Sequence, residues 1–169
     1  MSSLSLADQT DDRLDSLFSE LLQTEDPAMI RVIENRIWGI WFEHPNADLV
    51  RLMELGTRHM NAREFPEALL IFNQVIESFP GYAEGWNKRA TLYYMVGNFA
   101  ASIADIEETL ALEPRHFGAL SGLGLVYLQQ DDLVKARDAF RDLVDVHPNS
   151  PNAKENLAFV EERLRLDVI

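Results

Sequence analysis

Residues 83–116 read AEGWNKRATLYYMVGNFAASIADIEETLALEPRH, and the pattern of this stretch recurs on both sides of it. Ala90, Ser102, Ile106 and Pro114 have counterparts 34 residues earlier in Gly56, Ala68, Phe72 and Pro80, and 34 residues later in Gly124, Ala136, Phe140 and Pro148. A constant period of this length marks a helix–turn–helix unit that can bury its apolar face only against copies of itself. The small residues let the paired helices approach closely. The prolines stop each second helix so that the chain can turn into the next unit.

Working outward, the copies cover 49–82, 83–116 and 117–150. Each first helix carries a large apolar residue (Leu52, Trp86, Leu120) and, seven positions on, a ring (His59, Tyr93, Tyr127). Turn-prone residues separate the helices at Asn61–Glu64, Gly97-Asn98 and Asp131-Asp132. Second helices begin near Phe65, Phe99 and Leu133. Residues 151–169 place Leu157, Val160, Leu164 and Leu166 on one stripe and read as a terminal capping helix, which the last unit of a stack needs. Upstream, 1–9 are polar and expected to be disordered. Leu14, Leu17, Phe18, Leu21 and Leu22 predict a helix over 10–23. Asp26-Pro27 starts another that runs to about Phe42. This 10–46 hairpin is degenerate, because Leu22 and Glu34 stand where small residues belong, and it is expected to cap the stack.

The order of small, aromatic, small, aliphatic and proline positions resembles the tetratricopeptide repeat (TPR). Trp86 to Thr91 and Leu112 to Gly124 in particular are similar to small TPR proteins of proteobacteria and plastids, which act as scaffolds. The resemblance covers about 48–166. It implies an all-α, right-handed α-solenoid of three TPR hairpins with the degenerate N-terminal hairpin and the capping helix. It also implies binding rather than catalysis.

Composition narrows the function further. A net charge of −13 argues against nucleic acid and against anionic membranes, since phosphate binding depends on basic side chains. No apolar run approaches the length of a membrane span. There is no cysteine, so disulfides, thiolate metal sites and cysteine nucleophiles are excluded. His44, His59, His116 and His147 show no metal-ligand spacing; His116 is expected to cap a helix and His59 to pack. Gly118, Gly122 and Gly124 lie within a helix and so do not form a phosphate loop. Neither an enzyme nor a cofactor is expected. The N-terminus as written has no basic or apolar leader, which points to the cytoplasm. Ser5-Leu6-Ala7 would suit a cleavage site if an apolar segment preceded it, and the periplasm is then the alternative.

In TPR stacks the first helix of each unit lines a concave face, and the resemblance carries that role to particular residues here. They are Met53, Thr57 and Met60 in the first unit; Glu84, Asn87, Lys88, Thr91, Tyr94 and Met95 in the second; Ser121, Gly122, Leu125 and Leu128 in the third; and Asn152 beyond. The lining is apolar, with only Lys88 and Asn87 suited to gripping a carboxylate, so a chaperone-tail clamp is not expected. The small residues at Gly118, Ser121 and Gly122 are expected to open a hollow for a bulky side chain. The expected partner is a protein or peptide segment, apolar or basic, with no nucleic acid and no membrane insertion. The alternatives are that the chain's own N-terminal hairpin covers part of the groove, or that a homodimer buries it. Arg89 replaces the leucine found at Leu55 and Leu123 and is expected to pair with a carboxylate, Asp105 first, with Glu107 and Glu108 as alternatives.

Overall fold

The computed structural model describes residues 9–166, and all of its regular structure is helical. In chain order the helices are α1 (Arg13–Gln23), α2 (Pro27–Phe42), α3 (Ala47–Asn61), α4 (Phe65–Ser78), α5 (Ala83–Met95), α6 (Phe99–Leu112), α7 (Phe117–Gln129), α8 (Leu133–Val146) and α9 (Pro151–Leu166). The disorder expected for 1–9 concerns residues outside the described ones, apart from Gln9. That side chain donates to Gly81 O at 2.5 Å and accepts from Ala83 N at 3.3 Å.

Local chemistry sets the helix ends. Asp26, Asn46, Asn98 and Asp132 each accept a backbone N–H from the first turn of the helix that follows, satisfying donors the helix leaves unpaired. His116 caps α7 in the same way, its Nδ1 accepting from Ala119 N at 3.0 Å. The turns within the hairpins share one left-handed residue per unit, at Arg63, Gly97 and Asp131. Only Gly97 takes that conformation without steric cost.

From α3 onward the helices pack in sequence, each against the next, as α3/α4, α5/α6 and α7/α8 hairpins followed by α9. The small-residue column is where paired helices meet. A Cβ on Gly56 would lie 2.6 Å from the Phe72 ring, and one on Gly124 would overlap the Phe140 ring. In the middle unit the ring is replaced by Ile106, there is room for Ala90, and Ser102 Oγ donates to Ala90 O at 2.9 Å. Glycine therefore goes with phenylalanine and alanine with isoleucine.

Arg89 pairs with Asp105 as expected. Its Nε and one terminal nitrogen reach the two carboxylate oxygens at 2.7 and 2.8 Å, and the other terminal nitrogen donates to Asn73 on α4 at 2.7 Å. The carboxylate holds the guanidinium above its ordinary pKa against the opposing effect of burial. This strut ties the first unit to the second. Removing either member would strand the other, at a cost of about 3–5 kcal/mol.

The N-terminal hairpin does not cap the stack. α1 and α2 pack on each other, and α2 lies against α5. The hairpin shares its core with the third unit and α9: Leu14, Leu17, Ile33, Ile37 and Trp41 join Phe117, Leu120, Phe140 and Val160 in one buried cluster. Polar ties pin its rim, with Asp15 to Arg115 at 2.7 Å, Glu34 to His147 at 2.7 Å and Asn149 to Thr24 O at 2.8 Å. The reason is aromatic mass. Phe18, Trp38 and Trp41 cannot all be buried between two thin helices, and the junctions of units two and three offer rings and small residues to receive them.

Candidate functional site: the inner face of the second and third units

α5 and α7 lie side by side and present their inner faces together. Between them is an open cavity of about 260 Å³. Asn87, Thr91 and Tyr94 form one wall, Ser121, Gly122 and Leu125 the other, and Ser102 and Ile106 of α6 the floor. The hollow exists because α7 has almost no side chain where it faces α5. A Cβ on Gly122 would meet nothing closer than Ile106 Cδ1 at 3.6 Å.

At its near end the hollow is closed by the chain itself. Trp38 lies over Gly118, so closely that a Cβ there would sit 2.7 Å from Trp38 Cη2. The Trp38 ring is edge-on to Phe117 at 5.3 Å between centroids, and the Trp41 ring stacks flat on His116 at 4.1 Å. His116 is fully buried. Because its Nδ1 accepts from a backbone N–H, its Nε2 carries the hydrogen and donates to Glu84 at 2.7 Å. Asn87 Nδ2 supplies that carboxylate with further hydrogen bonds at 3.3 Å. The chain's only basic group on this stretch of α5 besides Arg89, Lys88, places its Nζ 5.0 Å over the Phe42 ring. The open hollow is thus walled by neutral side chains, a setting that favours an apolar group over an ion.

Of the residues assigned to the groove, Asn87, Thr91, Tyr94, Ser121, Gly122 and Leu125 line this one cavity. Leu128 is half-buried a turn further along α7. Met95 is exposed at the end of α5, Thr57 is partly exposed on α3, and Asn152 is exposed on α9. Three assignments need correcting. Met53 and Met60 are buried with Leu49, Phe72 and Leu92, where α3 meets its neighbours, and offer nothing to a ligand. Glu84 is 1% exposed and is occupied by His116. Sequence reasoning gave no role at this face to Trp38, Trp41 or Phe42. The available signal was a pair of tryptophans three apart on a helix whose other buried residues are isoleucines, together with a glycine hollow elsewhere that needed filling.

A stack of helical hairpins with an inner hollow between neighbouring first helices defines the class of helical-repeat proteins. The chain belongs to the tetratricopeptide repeat family. Residues 87–154 match the tetratricopeptide repeat model. The chain is also 36% identical over 152 residues to a TPR repeat-containing protein of Rhizobium etli, covering 90% of this chain and 74% of that one. Among solved structures, the first TPR of Spaghetti (RPAP3) bound to an HSP90 peptide superposes with a TM-score of 0.66 at 20% identity, covering 69% of this chain and 93% of that one. The Yersinia enterocolitica type III secretion chaperone SycD in complex with a peptide of the translocator YopD gives 0.66 at 13% identity, covering 73% and 97%. These likenesses mark the fold. Membership of the family makes this chain a protein-interaction module. Among the described residues, no helix is long and apolar enough to cross a membrane.

Proposed function

We propose that the protein is a non-enzymatic adaptor that holds a segment of a partner polypeptide against α5 and α7, with one bulky apolar side chain of that segment seated in the hollow at Gly122. The observation that carries this reading is the cavity: about 260 Å³, uncharged, open to solvent and wide enough for an anchor residue. Trp38 is an internal precedent, because the chain already fills the adjoining glycine position with a large side chain from an amphipathic helix. A helical or extended apolar segment fits the remaining length of the face. With a net charge of −13, the chain favours a partner that is neutral or basic around its apolar anchor.

A grip on a terminal carboxylate is not supported. Asn87 is held by Glu84, and Lys88 lies over Phe42. Affinity capture from a bacterial lysate tests the reading, with wild type beside Tyr94→Ala and Leu125→Glu. Both variants are expected to lose the partner while their melting temperatures stay within a few degrees of wild type. If both retain everything wild type retains, the groove assignment fails.

A further inference from the structure

The N-terminal hairpin lies on the inner face, and among the described residues neither of its helices packs extensively on α3 or α4, which bear the outer edge of the first unit. The sister units show what belongs there. Arg89, at the place of Leu55, reaches back to Asn73 on the second helix of the preceding unit. Leu123, at the same place in the third unit, packs against the buried cluster that includes Ile106 of the preceding α6. Leu55 has no such helix before it and is 36% exposed; on α4, Leu70 is 71% exposed. A shallow hollow of about 700 Å³ runs along this edge, floored by Leu52 and Leu55 and reaching Gln74.

We infer that this edge is a self-association surface and that its partner is a second copy of the same chain, with α3 packed antiparallel on α3. The charges argue for a copy over a foreign helix. Asp48, Arg51, Glu54 and Arg58 border the apolar floor in alternating sign. In an antiparallel pair about a two-fold axis beside Met53, Asp48 faces Arg58 of the second copy and Glu54 faces Arg51 of the second copy. Leu52 and Leu55 of the two copies meet around the axis. A closed two-fold contact requires a face that complements itself in this way. The four charges of the edge cancel, although the whole chain carries −13, so two copies can meet here without the repulsion they would feel elsewhere. In the monomer Asp48 and Arg51 pair along the helix. An exposed pair of this kind is weak and readily exchanged. One helix and its flank make a small interface, so the dimer is weak, with a dissociation constant on the order of 100 µM. This proposal is independent of the reading of the inner face.

Sedimentation of the full chain across a concentration series, at physiological ionic strength so that net repulsion is screened, tests it. Wild type should pass reversibly from monomer to dimer. Leu55→Glu should remain monomeric, and Asp48→Arg should weaken the dimer about tenfold by setting Arg58 of each copy against a like charge. The double variant Asp48→Arg, Arg58→Asp should recover the wild-type constant. Circular dichroism is recorded alongside to show that each variant is folded. A wild-type chain that stays monomeric throughout overturns the proposal and leaves the edge to a foreign helix. So does a dimer indifferent to these changes, or a Leu55→Glu chain whose only defect is a lowered melting temperature, which would mean the edge is covered from within the chain.

Discussion

Gly118 and Gly122 lie one turn apart on the same face of α7, and the molecule uses them in opposite ways. Gly118 is covered by Trp38 from the N-terminal hairpin; Gly122 opens onto a cavity with nothing of the chain inside it. Both glycines remove a side chain from a helix, at some cost in helix stability. At the first, that space is returned to the fold as close packing. At the second it stays available. The hairpin therefore seals one end of the inner face and leaves the other open.

The largest expected effect breaks the sealed half. Trp41 is 1% exposed and lies among Phe18, His116 and Phe117. Trp41→Ala should cost about 3–5 kcal/mol in denaturant unfolding and make α1 and α2 open to protease before the repeats are. A loss below about 1 kcal/mol would mean that the hairpin is only loosely held. Next comes the direct contrast between the glycines. Gly118→Leu drives a side chain into Trp38 and should cost about 1–3 kcal/mol. Gly122→Leu fills open space, should leave stability unchanged or raise it by up to about 1 kcal/mol, and should abolish capture of the partner. Equal destabilisation by the two would erase the distinction.

The smallest effect is one of pH. Asp11 is held below its ordinary value of 3.8 by Arg13, through the side chain first and the backbone N–H after it, while burial opposes the shift. A carboxylate whose pKa is lowered by folding contributes stability that is fully present above its unfolded value and is lost as the pH falls through the lower, folded value. Asp11→Asn should therefore lower the melting temperature slightly at neutral pH, and the difference should vanish under strongly acidic conditions. A difference that grew with acidity would contradict the role given to this pair at the start of the hairpin.

The repeats were legible in the sequence because their register is fixed locally: the Gly, Ala and Pro columns constrain how two adjacent helices approach and where the second stops. The Arg89–Asp105 strut could be read for a similar reason, since a guanidinium in an apolar layer must find a carboxylate on the next helix. The hollow could be read from Ser121 and Gly122, while the space read at Gly118 is covered by Trp38. That the hairpin covers part of the groove could be read only as an alternative, and the residues that do so could not be read at all. Trp38 and Gly118 are brought together by the tertiary fold alone, with no turn or period linking α2 to α7. Met53 and Met60 were misplaced because a position within a repeat fixes the direction of a side chain but not what covers it. In the first unit α4 and α5 close over both.

The central claim is that the open half of the inner face, and no other part of it, receives the partner. Methyl-resolved NMR of the full chain, titrated with the captured partner, tests it most directly. The account predicts that Ile106, Leu125 and Val126, which line the hollow, shift on binding, while Leu14, Ile33 and Ile37 beneath the hairpin stay still. Movement of the hairpin core with the hollow unchanged would contradict it.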